Sequence, residues 1–245
     1  MPKKSGVGPW AKDKLDRLGK YLHVYTTIMR KQDWCEGFFY IDAFAGPGEQ
    51  EVRRDTSNSE VEQGLLDLGQ AVSDDRQYQE FVSGSPLVAL KLKHPFTGYV
   101  FIDKSMKRTA ALEELAATYP DRNIRIRRED CNSYLQSRVA ANAQIDWTVN
   151  RAVVFLDPFG MQVEWNTIAA LGATGAIEVF LNFPVGMAIQ RLLLRRGNFT
   201  DKQRTRLDAY FGSPDWFDAV YVQPKSLFTE TDVDKVEKSG QSLVR

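Results

Sequence analysis

The run Phe38-Phe39-Tyr40-Ile41-Asp42-Ala43-Phe44, closed by Ala45-Gly46-Pro47-Gly48, constrains this chain more than any other segment. An almost unbroken apolar run of strand length has no polar face to offer water, so it fits a parallel strand covered on both sides. Glycines straight after such a strand let backbone approach a charged ligand with no Cβ in the way, and the turn's amides can donate to it. Gly-Pro-Gly also terminates ordinary strands, so both readings stand here. Asp42 is either a core-edge carboxylate or a group that receives a ligand's ammonium.

The pattern on either side extends this start into a wound sheet. From Trp10 to Gln32, Leu15, Leu18, Leu22, Tyr25, Ile28 and Met29 recur at helical spacing, which predicts an amphipathic helix packed before the strand. Residues 49–83 change character: Glu49 to Gln79 is acidic and rich in Gln and Ser, and reads as an insertion. The winding resumes at Gly84-Ser85-Pro86-Leu87, where Ser85 fits a helix cap and Pro86 the first helical position. Strands are predicted at Tyr99–Asp103, Ile124–Arg127 and Ala152–Asp157. A helix near Trp165 to Leu171 and a fifth strand from Ile177 to Phe183 follow. This order predicts an α/β fold with a mostly parallel central sheet flanked by helices, in one domain over residues 1–245. Residues 191–245 read as a variable C-terminal segment after a helix from Val185 to Arg195. A complete seven-stranded domain needs two more strands, which cannot both be placed before Arg245, so the fold reads as truncated at its C-terminus.

Composition excludes several classes. With 245 residues and 43% hydrophobic against 26% charged, the chain is long and apolar enough for a buried core and does not resemble a disordered one. Lys and Arg total 32, as do Asp and Glu, so net charge does not mark a polyanion binder and local patches must decide. Cys35 and Cys131 lie far apart with two histidines, His23 and His94, to help them, so no metal site is expected. The start Met-Pro-Lys-Lys-Ser lacks an apolar leader core and no apolar stretch reaches membrane-spanning length. The chain reads as a soluble, cytoplasmic protein with no membrane contact, its cysteines buried or half-buried thiols.

Acidic residues at predicted strand ends carry the chemistry. A ribose needs a bidentate acceptor at the end of the second strand, and Asp103 stands there, where it fits a helix N-cap equally well. Glycine turn, Asp103, Asp130 after the third strand and Asp157 after the fourth follow the order of contacts that an adenosyl ligand lying along a sheet edge requires. S-adenosylmethionine is therefore the expected cofactor. Asp42, Ala45, Gly46 and Gly48 are expected near its methionine moiety, Asp103 on the ribose and Asp130 near the adenine. Asp157-Pro158-Phe159-Gly160 puts a carboxylate on a rigid turn beside an aromatic face, which suits a planar amino-bearing substrate; it also fits a strand-ending turn with Phe159 in the core. Asn182-Phe183-Pro184 is expected to line the same cleft. The tract Arg191 to Arg206, with Arg195, Arg196, Lys202 and Arg204, has the charge to neutralise nucleic-acid phosphates, or is a solvated helix face, or docks the acidic insertion. Arg122, Arg125, Arg127 and Arg128 read as surface charges flanking a strand, and His23 and His94 as structural. A dinucleotide enzyme is disfavoured, since the turn lacks the three-glycine spacing used for pyrophosphate.

Three segments taken together, Tyr40 to Gly48, Gly84-Ser85-Pro86-Leu87-Val88-Ala89-Leu90 and Phe155-Leu156-Asp157-Pro158-Phe159-Gly160, resemble the three-Cys-motif partner proteins (TcmP) over roughly residues 10 to 190. The resemblance implies a Rossmann-like class I methyltransferase fold, a bacterial or phage context, and a partner bearing a three-cysteine motif, similar to a radical enzyme. Asp-Pro-Phe-Gly is similar to the Asp-Pro-Pro-Tyr motif of amino-group methyltransferases, which would make Asp157 the acceptor of the amine hydrogen bond and Phe159 the stacking ring. This sequence has one proline, and Gly160 in place of the usual aromatic residue. Lys12 and Lys14 match the charged N-terminal helix of the family, which implies that they fold over the cofactor. The expected activity is S-adenosylmethionine-dependent methyl transfer to an amino group of a nucleic acid base. The alternative is a non-catalytic partner or scaffold of the three-cysteine protein.

Overall fold

The computed structural model describes residues 9–46, 84–158, 160–183, 199–222 and 234–235. They fall into two compact units: residues up to 46, 84–157 and 170–181 form the first, and 158–169 with 182 onward the second. The expected insertion at 49–83 and the helix from Val185 to Arg195 lie outside the described residues.

The first unit is built on a five-stranded sheet, every neighbouring pair parallel, in the order β3-β2-β1-β4-β5. Its strands are β1 (Gly37–Asp42), β2 (Gly98–Ile102), β3 (Ile124–Arg127), β4 (Asn150–Leu156) and β5 (Ile177–Leu181). Helices α1 (Pro9–Met29), α2 (Ser85–Leu90), α3 (Met106–Ala117) and α4 (Cys131–Tyr134) punctuate them, α4 runs on into a π-helical turn, Leu135–Ala140, and α5 (Trp165–Ala173) passes from the second unit into the first. This is the doubly wound α/β arrangement that the alternation of patterns predicts.

The three central strands, β1, β2 and β4, are buried on both faces, as their continuous apolar runs require, whereas the edge strands β3 and β5 are partly exposed. On one face Tyr40, Tyr99, Phe101, Val153 and Phe155 join Leu18, Leu22, Tyr25 and Met29 of α1 in a single core. On the other, Ile41, Ile102, Ala152, Val154 and Leu156 are buried as well. The α1 stripe corrects the sequence reading at one position, for Ile28 is 52% exposed. With Tyr25 and Met29 already facing the core, Ile28 falls on the flank. Where α1 meets α2, Gly19 allows the close approach: a Cβ there would stand 3.3 Å from Val88 Cγ1.

The second unit holds α6 (Asp201–Phe211), α7 (Trp216–Val220) and a two-residue antiparallel ribbon of β6 (Tyr221–Val222) with β7 (Asp234–Lys235). No further parallel strand joins the five-stranded sheet among the described residues. Its core is aromatic, with Tyr210, Trp216 and Tyr221 buried among Phe183, Phe199, Phe211 and Phe217. Thr200 and Gln203 form a capping box at the start of α6, and Gly212 ends it at φ +81°. A side chain at Gly212 would be strained by that φ and would run into Trp165. Gly212→Ala should lower unfolding stability by about 2 kcal/mol, measured by urea denaturation with Trp fluorescence; an unchanged midpoint would contradict this account of the α6 terminus.

Candidate functional site

The winding reverses direction between β1 and β4, where open α/β sheets form a crevice at their carboxyl ends. Asp42 ends β1 opposite Phe155, and Ala43 donates to the Phe155 carbonyl at 3.0 Å, so Asp157 emerges beside it at the end of β4. Asp103 follows β2 and Asp130 follows β3, and four carboxylates therefore stand along one edge of the sheet.

Asp42 is completely buried. Tyr40, two residues earlier on the same strand face, donates its hydroxyl to Oδ2 at 3.3 Å, and the Phe44 amide donates to Oδ1 at 3.3 Å. The Ser85 side chain is bonded to the same carboxylate. Ser85 is thus not the cap of α2, which begins after Gly84 with no side-chain cap; its hydroxyl turns to Asp42 instead. Burial pushes the Asp42 carboxyl up to about 7, against the Ser85 and Phe44 bonds, and the Asp157 charge adds to the rise. The Asp42 carboxylate thus ties Phe44 and Ser85 to the end of β1. Ala45 extends this brace by donating to the Ile102 carbonyl at 3.0 Å, and Ala45 and Gly46 are buried.

Asp157 is 2% exposed and receives the Lys14 ammonium from α1 at 2.8 Å. Burial lowers the Lys14 pKa, while the charge and hydrogen bond of Asp157 work the other way. Of the two lysines expected over the site, Lys14 is therefore at a strand-end carboxylate; the Lys12 side chain is not among those described. Asp103 neither caps α3 nor stands open. Ser105 is the cap, and Asp103 accepts from the Ser105 amide at 2.6 Å and from Arg108 Nε at 2.7 Å. Asp130 caps α4 through the Ser133 amide at 3.0 Å and meets Lys104 Nζ at 2.6 Å. Burial alone would raise its pKa, but Lys104 and the Ser133 amide hold the Asp130 carboxyl below the usual range.

Asp42, Asp157, Lys14, Tyr40 and Ser85 thus form one network, whereas Asp103 and Asp130 lie further along the edge, each with its own cation. Gly48 and Phe159 lie outside the described residues, as do Pro184, Arg191, Arg195 and Arg196. Pro158 is buried. Phe183, expected in the cleft, packs its ring 5.7 Å from Tyr210 in the aromatic core of the second unit. Arg204 of the basic tract lies 4.6 Å over the Phe217 ring. Burial, with Asp130 next to it, pushes the Cys131 thiol up to about 12, so it is a structural thiol and not a nucleophile. Among the described residues no cluster of metal-ligating side chains exists and no helix is long and apolar enough to cross a membrane.

No family model matches the chain, and no curated protein is significantly similar to it. A solved structure of a Legionella pneumophila protein of the DUF519 family overlays 59% of this chain at 15% identity with a TM-score of 0.36. The chain spans about half of that protein, 55% of its length.

The two buried groups make separable predictions. Lys14→Met leaves the Asp157 carboxylate buried without its ammonium and should cost about 3 kcal/mol in urea denaturation, with Lys14→Arg costing less; equal stability of Lys14→Met and the parent would refute the pairing. Asp42 binds its proton more tightly when folded, at about 7 against an ordinary 3.8. Its contribution therefore favours the fold at low pH and is lost as pH rises from about 4 to 7. Carboxyl-carbon NMR should show this titration near 7 and Asp42→Asn should abolish it; a midpoint near 4 would contradict the burial argument.

Proposed function

We propose that this chain is an S-adenosylmethionine-dependent methyltransferase of the class I kind, acting on an amino group of a nucleic acid base. The observation that carries the reading is the buried carboxylate of Asp157 beside Asp42 at the reversal point of the winding, already accepting a hydrogen bond from a nitrogen at 2.8 Å. A carboxylate so placed accepts equally from the exocyclic amine of a base, and orients the amine's lone pair.

The residues along the edge fit an adenosyl ligand. The ribose hydroxyls fall to Asp103, whose two oxygens accept from the Ser105 amide and from Arg108 and keep lone pairs for more. Arg108, 40% exposed, is able to swing aside. Asp130 serves the adenine side, and the Ala45-Gly46 backbone, held by Asp42 and Ile102, approaches the methionine side. When bound, the cofactor supplies an electrophilic methyl group on a sulfonium. Lys14 pairs with Asp157 at 2.8 Å and fixes its direction, and burial excludes water from it. Phe159 supplies the stacking ring that the family resemblance implies.

A second reading has an observation of its own. Asp103, Asp130 and Asp157 each already hold a cation of this chain, Arg108, Lys104 and Lys14. That arrangement suits a non-catalytic module that partners a three-cysteine-motif protein.

Calorimetry separates the two. Saturable binding of S-adenosylmethionine and S-adenosylhomocysteine, weakened at least about tenfold by Asp103→Ala, supports the enzyme reading. Transfer of labelled methyl to oligonucleotides that falls at least about a hundredfold in Asp157→Ala with cofactor binding retained completes it. Absence of binding by the folded chain, together with a stoichiometric complex with the three-cysteine protein, would replace it with the partner reading.

A further inference from the structure

The amino edge of the sheet, opposite the proposed cofactor edge, carries an unbalanced cluster of cations. At the end of α1, Arg30 Nη1 lies 2.7 Å from Nδ1 and 3.0 Å from Nε2 of His94, which follows α2 and precedes β2. Such a contact requires a neutral imidazole with a lone pair for the guanidinium. His23, two helical turns back on α1, stacks on His94 with ring centroids 6.4 Å apart and planes 18° apart. Desolvation first, and then the charges of Arg30, Lys93 and His23, hold the His94 pKa below its ordinary value, and among the described residues no carboxylate acts on it. Arg30, Lys93 and His23 are exposed.

Folding has brought Arg30 to His94 across 64 residues of chain, and among the described residues no acid acts on the histidine. Surface cations usually find carboxylates or spread apart, and a cluster that does neither is a ready site for an anion. The connection that starts at Arg30 also carries Trp34, 46% exposed, with the Arg151 guanidinium at 4.4 Å from its ring centroid. Cations for phosphates beside an aromatic face backed by a guanidinium are the pairing that single-stranded nucleic acid uses.

We propose that this amino edge binds the phosphodiester backbone of single-stranded nucleic acid, with Arg30, Lys93 and His94 around a phosphate and Trp34 stacking a neighbouring base. The site is separate from the basic tract of residues 191–206 and does not depend on methyl transfer. A bound phosphate replaces the missing carboxylate, so His94 takes up a proton in the complex and affinity rises as pH falls from about 7.5 to 6.

Fluorescence anisotropy with a labelled oligothymidylate tests it, alongside the double variant Arg30→Gln/Lys93→Gln, Trp34→Ala, and a Lys202→Gln/Arg204→Gln/Arg206→Gln control, each checked for an unchanged melting curve. Loss of two phosphate contacts should flatten the slope of log affinity against log salt by about 1.4 and weaken binding at least about tenfold. Trp34→Ala should weaken it about tenfold with the slope unchanged. His94→Ala should remove the gain at low pH. Parent affinity and slope in the double variant, loss confined to the α6 control, or no binding by the folded parent chain would each overturn the proposal. Inorganic pyrophosphate that shifts the His94 ring resonances while the oligonucleotide does not bind would overturn it in favour of a small-anion site.

Discussion

The parallel pairing of β1 with β4, running from Gly37 opposite Asn150 to Asp42 opposite Phe155, is the contact on which the rest of the first unit depends. It joins the two halves of the winding, and its register delivers two carboxylates side by side at one end of the sheet. Because both strands are buried on both faces, neither carboxylate can be hydrated as an exposed one would be. Each is stabilised from inside the protein: Asp42 by Tyr40, the Phe44 amide and Ser85, and Asp157 by Lys14.

The two solutions differ in kind. Asp42 is surrounded by neutral donors and its proton affinity rises, whereas Asp157 faces an ammonium. Asp42 holds Phe44 and Ser85 to the end of β1, and in the proposed function Asp157 is the group that meets the substrate nitrogen. α1 is thereby more than a cover for the sheet, since the helix that buries Leu18 and Leu22 also carries Lys14 to the end of β4.

The strands were legible in the sequence because burial on both faces leaves long apolar runs, and β3 at Ile124–Arg127 agrees to the residue with the pattern. Strand ends were legible through the acidic residues that follow them. What local pattern misses is what a polar side chain bonds. Ser85 before Pro86 has the form of a cap, yet a buried carboxylate claims its hydroxyl. Asp103 has the same form, yet Ser105 takes that place and Asp103 binds the next turn. The Lys14–Asp157 pair spans 143 residues and the Arg30–His94 contact 64, so no window on the sequence contains either. Tyr40 was open to inference, since its spacing of two from Asp42 puts both on one strand face.

The most direct test of the account is a crystal structure of the chain grown with saturating S-adenosylhomocysteine. The ligand should lie across the carboxyl ends of β1 and β2, with its ribose hydroxyls within hydrogen-bond distance of Asp103, the Asp103–Arg108 contact opened, and Asp157 facing the sulfur side of the site. A sheet edge without ligand, with Arg108 still on Asp103 and the ligand absent or bound elsewhere, would contradict it.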